Sequence, residues 1–297
     1  MIPTSLSRRI PFRLMQHLAR HAGVKIGQHR IMVPLHNSAA LQWLYWRPNW
    51  KSELIAHCLR LRPGALLDVG ANIGQTLADY LSTDSSHPYI GLEPNIRSLA
   101  YLMEVANGNN LPDVTFLPLG ASTGLGLQEL HLQAGTDTDP LATIRPDLRP
   151  GLKVQREWIA TAPIDLMLHV LDSPPISLVK IDVEGGELEV LTGMRTLLGK
   201  SNPLVLCEVL LADRRSDISA YSRRLLELSA LLKSLNYSIQ RVILTADGHW
   251  QTLRPVASFP VEYWSHERQN ECDYLFIHQS HPVSDWPGMS ASSNSRA

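Results

Sequence analysis

Short apolar runs alternate with amphipathic segments along most of the chain. The runs ALLDVG, YIGLEP, VTFLPLGAS, ISLVKIDVEG and PLVLCEV predict strands, and intervening segments such as NIRSLAYLMEVANG have apolar residues at helical spacing. This alternation is typical of a doubly wound, mostly parallel α/β sheet. The last two apolar runs, at 237–244 and 272–278, have no helical pattern between them, which predicts an antiparallel edge.

The pattern divides the chain into three parts. Residues 49–280 form the predicted main domain, and 1–48 a helical and strand extension that caps it. A twin arginine near the start suggests an export signal. Such a signal needs an uncharged apolar stretch after the arginines, and here further charged residues interrupt that stretch. An amphipathic helix is therefore predicted there. The polar residues 281–297 predict a disordered tail, and 133–151 a long loop of the kind that is often functional.

Composition narrows the class of protein. The 297 residues are 44% hydrophobic and 19% charged, which is ordinary for a globular chain. A net charge of −1 provides no overall basic field, so neither nucleic acid nor a membrane is an expected partner. The three cysteines form no CxxC pair, which favours reduced thiols and a cytoplasmic location. Composition does not predict the oligomeric state.

The stretch LLDVGANIGQT, at 66–76, predicts a strand, a glycine turn and a helix. It lacks the middle glycine of the dinucleotide motif GxGxxG, and Asp68 lies where a phosphate would approach. A carboxylate repels phosphate but attracts an ammonium group, which favours S-adenosylmethionine over NAD. A turn without any ligand remains an alternative.

The next two strands end in further candidate contacts. Glu93 in GLEPN occupies the position of an acid that binds ribose hydroxyls, a feature that both cofactors share. Pro94 and Asn95 follow it directly and are included in the candidate cofactor site. Ala121 and Ser122, after the third strand, are candidate adenine contacts, with a plain turn as the alternative.

A second acidic cluster lies in VKIDVEGGELEVLTGM. Asp182 and Glu184 follow a strand, whereas Glu187 and Glu189 fall in the first turns of a helix, where its dipole favours acids. Glu208 ends the next strand. Because parallel strands share a carboxyl edge, Asp182 and Glu208 are predicted to lie side by side.

Taken together, LLDVGANIG, IGLEPN, LVKIDVEGGELEVLTGM and PLVLCEV resemble the FkbM-type methyltransferases. The resemblance extends from about residue 53 to the closing YLFIH. It implies a seven-stranded Rossmann-like sheet and transfer of a methyl group, usually to a hydroxyl on a sugar or secondary metabolite. The family often has EGAE where this chain has EGGE, a minor departure. The resemblance assigns cofactor contact to Asp68, Gly70, Asn72, Gly74 and Glu93, and places Asp182 and Glu184 near the methyl donor and acceptor.

Methylation of a hydroxyl requires a base or a metal ion that helps to remove the proton. Asp182 is the first candidate base and Glu208 the second. A divalent metal is not predicted, but Asp182 and Glu208 would be its ligands if one were needed. His131 and His169 are weaker candidates for the base, because neither belongs to a histidine motif.

The tryptophans Trp43, Trp46 and Trp50 precede the main domain's first strand. They either line a pocket or brace the core.

The preferred hypothesis is an S-adenosylmethionine-dependent O-methyltransferase that acts on a small hydroxylated molecule. Two alternatives remain. An NAD(P)-dependent oxidoreductase fits the strand–helix rhythm but not the missing GxGxxG. A catalytically inactive cofactor-binding partner protein is disfavoured by the complete set of acids.

Overall fold

The structure is a computed structural model that describes residues 11–83, 86–133, 138–148, 154–213, 217–282 and 286. Most of the predicted tail, and parts of the 133–151 loop, lie outside the described residues. The strands are β1 His21–Ile26, β2 His29–Pro34, β3 Ala65–Val69, β4 Tyr89–Leu92, β5 Val114–Leu117, β6 Gly120–Ala121, β7 Gly126–Gln133, β8 Val154–Ala162, β9 Ile176–Ile181, β10 Leu204–Glu208, β11 Tyr237–Leu244, β12 Trp250–Val256 and β13 Asp273–His278. The α-helices are α1 Phe12–Leu18, α2 Ala40–Leu44, α3 Trp50–Leu61, α4 Gln75–Leu81, α5 Ile96–Gly108, α6 Ile164–Val170, α7 Glu187–Thr192, α8 Arg195–Ser201 and α9 Ile218–Ser234.

The main sheet has the strand order β12-β11-β13-β10-β9-β3-β4-β5. The five strands from β10 to β5 are parallel, and β13 pairs antiparallel with both β10 and β11. The predicted α/β class, with a mostly parallel doubly wound sheet and an antiparallel edge, is confirmed. β12 adds an eighth strand beyond β11.

A smaller sheet, in the order β6-β8-β7, stands beside the main one. The run VTFLPLGAS, predicted as one strand, divides between the two sheets. Its first half is β5 in the main sheet, and Gly120–Ala121 pairs with the end of β8. The break at Pro118 and Leu119 brings the small sheet to the carboxyl edge of the main sheet.

Both faces of the main sheet are packed. Leu66 of β3 belongs to one apolar cluster and its neighbour Leu67 to the other, as alternation along a buried strand requires. The predicted N-terminal extension contains α1, β1, β2 and α2, and Met15 and Val33 are buried in the same cluster as Leu66. In the predicted tail, Trp286 is buried, with its ring 5.1 Å from that of His57.

Candidate active site

A cavity of about 280 Å³ opens at the carboxyl edge of β3, β4 and β9. This edge is where open parallel sheets bind their ligands. Four groups of residues line it, from the strand-end loops, the helices α3 and α4, the small sheet and the loop after β7. They include Gly70, Asn72, Glu93, Pro94, Ala121, Lys180, Asp182 and Glu184, with Lys51 and Asp79 from the helical side and Asp139–Ala142 and Ile144 above.

The loop after β3 depends on backbone conformations that favour glycine. Gly70 and Gly74 have φ of 87° and 98°, and Asn72 between them has φ of 46°. A Cβ on Gly70 would lie 1.9 Å from the carbonyl oxygen of Asp182. The loops after β3 and β9 therefore touch through their backbones, which leaves no room for a side chain.

Glu93 is held rigidly at the end of β4. Its carboxylate accepts hydrogen bonds from the backbone N–H groups of Asn72, at 2.8 Å, and Asn95, at 2.7 Å. Burial raises the pKa of Glu93 to about 7, although both hydrogen bonds oppose that shift. The side chain lines the cavity, so a fixed acceptor of hydrogen bonds faces any molecule bound there.

Asp68 lies beneath the cavity and does not line it. Its side chain is completely buried, accepts a hydrogen bond from the Tyr89 hydroxyl, and is 3.5 Å from the ammonium of Lys180. Burial raises the pKa of Asp68, and the Lys180 charge partly opposes that shift.

Lys180 links Asp68 to the cavity wall. Its ammonium donates to the Asp182 carboxylate at 3.2 Å, so one buried cation joins two strand-end acids. Burial alone would lower the pKa of Lys180, but the carboxylates of Asp182 and Asp68 raise it above its ordinary value. The cation therefore stays charged and holds Asp182 in place.

Lys51 forms a second group of a cation with two carboxylates, next to the group around Lys180. Ile181 pairs with Cys207 across β9 and β10, which places Asp182 beside Glu208 as predicted. Glu208 does not line the cavity. It lies 3.6 Å from the Lys51 ammonium, and Asp273 of β13 is 3.8 Å from the same nitrogen. Burial raises the pKa of Asp273 to about 7, against the effect of Lys51.

The N-terminal tryptophans brace this region. Trp43 donates from Nε1 to the Ile73 carbonyl at 2.8 Å, and Trp46 donates to the Asp79 carboxylate at 2.9 Å. Asn49, which caps α3, also donates to Asp79 at 2.9 Å. None of the three candidate tryptophans lines the cavity, which favours the brace over the pocket wall.

Described residues 138–148 form a cover over the cavity. The Thr143 hydroxyl donates to the Glu184 carbonyl at 2.6 Å, and Arg145 reaches Glu189 of α7 at 3.2 Å. Arg224 of α9 donates to the same Glu189 carboxylate at 2.8 Å. The cover is thus fastened to the loop that carries the predicted catalytic acids.

Within the described ranges, no group of three or more His, Cys, Asp or Glu residues is arranged to hold a metal ion. Neither His131 nor His169 lines the cavity. His131 is buried in the small sheet near Glu129, and His169 is exposed on α6. None of the helices in the described part of the chain is both long enough and apolar enough to cross a membrane.

Residues 68–239, more than half of the chain, match the model of the methyltransferase FkbM domain. The chain belongs to the FkbM methyltransferase family. The match begins at Asp68 and covers both acidic strand ends, Glu93 and Asp182. It leaves out α3, which carries Lys51, and β13, which carries Asp273.

Solved methyltransferases resemble the chain at low identity. An FkbM methyltransferase from Methylobacillus flagellatus is 20% identical, with a TM-score of 0.46, over 80% of this chain and 50% of that one. This chain therefore spans half of that protein's length. A putative O-methyltransferase from Klebsiella pneumoniae is 13% identical, with a TM-score of 0.40, over 83% of this chain and 84% of that one. The O-methyltransferase from Bacillus cereus in complex with SAH is 10% identical, with a TM-score of 0.40, over 77% of this chain and 79% of that one. No curated protein matches the chain.

The predicted site residues occupy two layers. Those that line the cavity are Gly70, Asn72, Glu93, Pro94, Ala121, Asp182 and Glu184. Those behind it are Asp68, Gly74, Asn95, Ser122 and Glu208, which support the loops. Asn95, for example, accepts from the Arg97 N–H at the start of α5, and Ser122 accepts from Gln128 at 3.0 Å.

Sequence reasoning missed Lys180, Lys51 and Asp79, all of which line the cavity. Lys180 had a usable signal, because a lysine inside the apolar run ISLVKI must be paired once the strand is buried. Lys51 and Asp79 lie on ordinary helical positions, and only the fold brings them to the site.

Proposed function

We propose that the protein is an S-adenosylmethionine-dependent O-methyltransferase whose acceptor is a hydroxyl group on a sugar or a secondary-metabolite small molecule. The observation that carries the proposal is Glu93, a buried carboxylate that two backbone N–H groups aim at a cavity on the carboxyl edge of a methyltransferase sheet. A ribose diol offers two donors to such a carboxylate.

The residues around Glu93 fit the rest of the cofactor. The Oδ1 atom of Asn72 is buried without a hydrogen-bond partner in the described structure, and it suits a donor such as the cofactor's ammonium group. Leu119 and Ala121 give an apolar wall for adenine. Asp68 acts in this proposal through Lys180, as a support for the binding loop.

When bound, S-adenosylmethionine supplies a methyl group on a sulfonium. That group would be the methyl donor for the acceptor hydroxyl, and Asp182 would take the proton of that hydroxyl. Lys180 fixes the Asp182 carboxylate through the 3.2 Å hydrogen bond. Glu184 lies on the same wall, under the cover, where it can orient the acceptor.

Calorimetric titration with S-adenosylmethionine, S-adenosylhomocysteine and NAD tests the cofactor. Micromolar binding of the first two without NAD is expected, because the first loop lacks the middle glycine needed for close approach of a phosphate. Binding of NAD alone would establish the oxidoreductase instead. Binding of S-adenosylhomocysteine with no methyl transfer to any hydroxylated acceptor would favour the inactive partner protein.

Asp182→Asn tests the base. We expect turnover to fall roughly 10²- to 10⁴-fold, the usual contribution of a general base, while affinity for S-adenosylhomocysteine changes little. Radiolabelled methyl transfer measures turnover, and calorimetry measures affinity. Full turnover in the variant would remove Asp182 from the mechanism.

A further inference from the structure

Asp79 of α4 is a buried acid that lines the cavity. The residue is only 4% exposed, and its Oδ1 atom accepts hydrogen bonds from the side chains of Trp46 and Asn49. Its Oδ2 atom accepts none from the described residues, and no Lys, Arg or His among them forms an ion pair with the carboxylate. Buried acids are almost always paired. The Oδ2 atom is therefore a candidate contact for a ligand in the cavity.

Lys51, the cation beside Asp79, pairs with other acids. One Asn49 side chain joins the two residues, since its Oδ1 accepts from the Lys51 backbone N–H at 2.7 Å and its Nδ2 donates to Asp79 at 2.9 Å. The Lys51 ammonium nevertheless lies within ion-pair distance of Glu208 and Asp273. Burial raises the pKa of Asp79 to about 6, although Trp46, Asn49 and the charge of Lys51 oppose that shift. At neutral pH the carboxylate is thus mostly ionised, with no cation in contact among the described residues.

The first loop and α4 connect Glu93 to Asp79 along one wall of the cavity. The Asn72 N–H binds Glu93 at one end, Thr76 in the first turn of α4 lines the cavity, and Asp79 lies one turn further on. S-adenosylmethionine has its groups in a matching order, with the ribose first, then the sulfur, then an amino-acid group that carries an ammonium. A ribose on Glu93 would direct that amino-acid group along the loop toward α4.

We propose that Asp79 binds the ammonium of the cofactor's amino-acid group, an inference that rests on the proposed function. The ligand then supplies the cation that the protein does not place against this carboxylate. Opposite charges attract more strongly in a cavity with little water than in bulk solvent. An ammonium has three N–H donors, so the assignment leaves a donor for the Oδ1 atom of Asn72.

The proposal gives the N-terminal part of the chain a role in cofactor binding. Trp46 and Asn49 hold the second oxygen of Asp79, and both lie outside residues 68–239, which match the FkbM domain. They are positioning residues, because they act on the ligand through Asp79. Trp43 supports the same region through its hydrogen bond to the Ile73 carbonyl in the first loop. Affinity for the cofactor should therefore depend on residues that precede the matched domain.

Asp79→Asn tests the contact without a change of shape. The amide oxygen can still accept from Trp46 and Asn49, while an uncharged NH₂ group replaces the oxygen that is available to the ligand. Calorimetry should compare S-adenosylhomocysteine with 5′-methylthioadenosine, which has the same nucleoside and a thioether but no amino-acid group. Affinity for the first should fall about 10- to 100-fold, the value of a charged hydrogen bond, and affinity for the second should not change.

Asp113→Asn is the matched control. Asp113 is exposed and directly precedes β5, at the amino edge of the sheet and opposite the cavity. The substitution removes the same charge and should leave both affinities unchanged.

Trp46→Phe tests the positioning role. It keeps an aromatic ring but removes the N–H that donates to Asp79, so affinity for S-adenosylhomocysteine should fall about two- to tenfold while 5′-methylthioadenosine binds as before. Circular dichroism and thermal melting check that each variant remains folded.

Three results would overturn the inference. An equal loss for both ligands in Asp79→Asn would mean that Asp79 supports the loop and does not contact the ammonium. Unchanged affinity for S-adenosylhomocysteine would assign Asp79 to another cation, such as an amino group on the acceptor, and would leave the proposed function intact. Failure of the wild type to bind S-adenosylhomocysteine would overturn the proposed function and this inference together.

Discussion

The ends of β3 and β4 carry two acids that the sequence motifs treat alike, and the structure uses them differently. Asp68 is two residues short of Gly70 and is buried against Tyr89 and Lys180. Glu93 follows the last residue of β4 and reaches the cavity between two backbone N–H groups. In β3 and β4, Asp68 pairs with Gly91, so Glu93 extends two positions further toward the open edge. We infer that position along the strand end, rather than residue type, separates a ligand contact from an internal support.

The largest expected effect is that of Lys180→Met, which leaves the Asp68 carboxylate buried without its cation. Removal of one partner of a buried ion pair typically costs about 3–5 kcal/mol. Guanidinium denaturation should show a loss of this size in the free energy of unfolding. Lys200→Met, on an exposed position of α8, is the control and should cost less than about 0.5 kcal/mol. A loss below about 1 kcal/mol for Lys180→Met would mean that Asp68 does not depend on this pair.

Glu93→Gln should act on the ligand rather than on the fold. It keeps the size of the side chain and removes the charge, so affinity for S-adenosylhomocysteine should fall about 10- to 100-fold, the value of a charged hydrogen bond. Asp68→Asn is the matched comparison, and it should lower stability more than affinity. If Asp68→Asn lost more affinity than Glu93→Gln, the two acids would have the opposite roles.

The free energy of unfolding should also depend on pH through protonation of Glu93. Burial raises the folded-state pKa of Glu93 to about 7, above the ordinary value of 4.5, so the folded state holds this proton more tightly than the unfolded state. The contribution of Glu93 to the free energy of unfolding is therefore fully present below about pH 4.5 and is lost as the pH rises through about 7. Denaturation of the cofactor-free protein at about pH 5.5 and 8 should show a smaller decrease for Glu93→Gln than for the wild type. Equal decreases in the two proteins would contradict the assignment.

Tyr89→Phe should have the smallest effect. It removes the hydroxyl that donates to Asp68 but leaves the pairing with Lys180. Loss of a hydrogen bond to a charged group predicts a decrease of about 1.5–2 kcal/mol in stability and no change in affinity for S-adenosylhomocysteine. A change in affinity alone would indicate that Asp68 reaches the ligand.

The alternating pattern predicted the sheet because buried parallel strands leave continuous apolar runs. It missed β7 and β8, since GLGLQELHLQ mixes polar and apolar residues on a strand with one exposed face, and Trp158 of β8 is itself exposed. It also missed β12, which carries Pro255 and lies at the sheet edge, where a proline is tolerated.

The sequence predicted the site residues that lie within a motif or at the end of a strand. Asp182 and Glu208 were placed side by side correctly because parallel strands share an edge. Lys51 and Asp273 meet across 222 positions of the chain through α3 and β13, and no local pattern encodes that contact. The net charge is an average over the whole chain, so it does not show that residues 1–52 contain eight Lys and Arg and no acid.

The position of β13 has a consequence for synthesis of the protein on the ribosome. β13 follows β11 and β12 in the chain, yet it lies between β10 and β11 in the sheet. Until β13 emerges, β10 presents an apolar strand with one unpaired edge, which is a hazard for aggregation in a growing chain. The earlier strands can assemble during translation, and β11 can pair with β12, but these two strands join the rest of the sheet only through β13. Closure of the sheet is therefore a late event in which one strand completes two pairings at once.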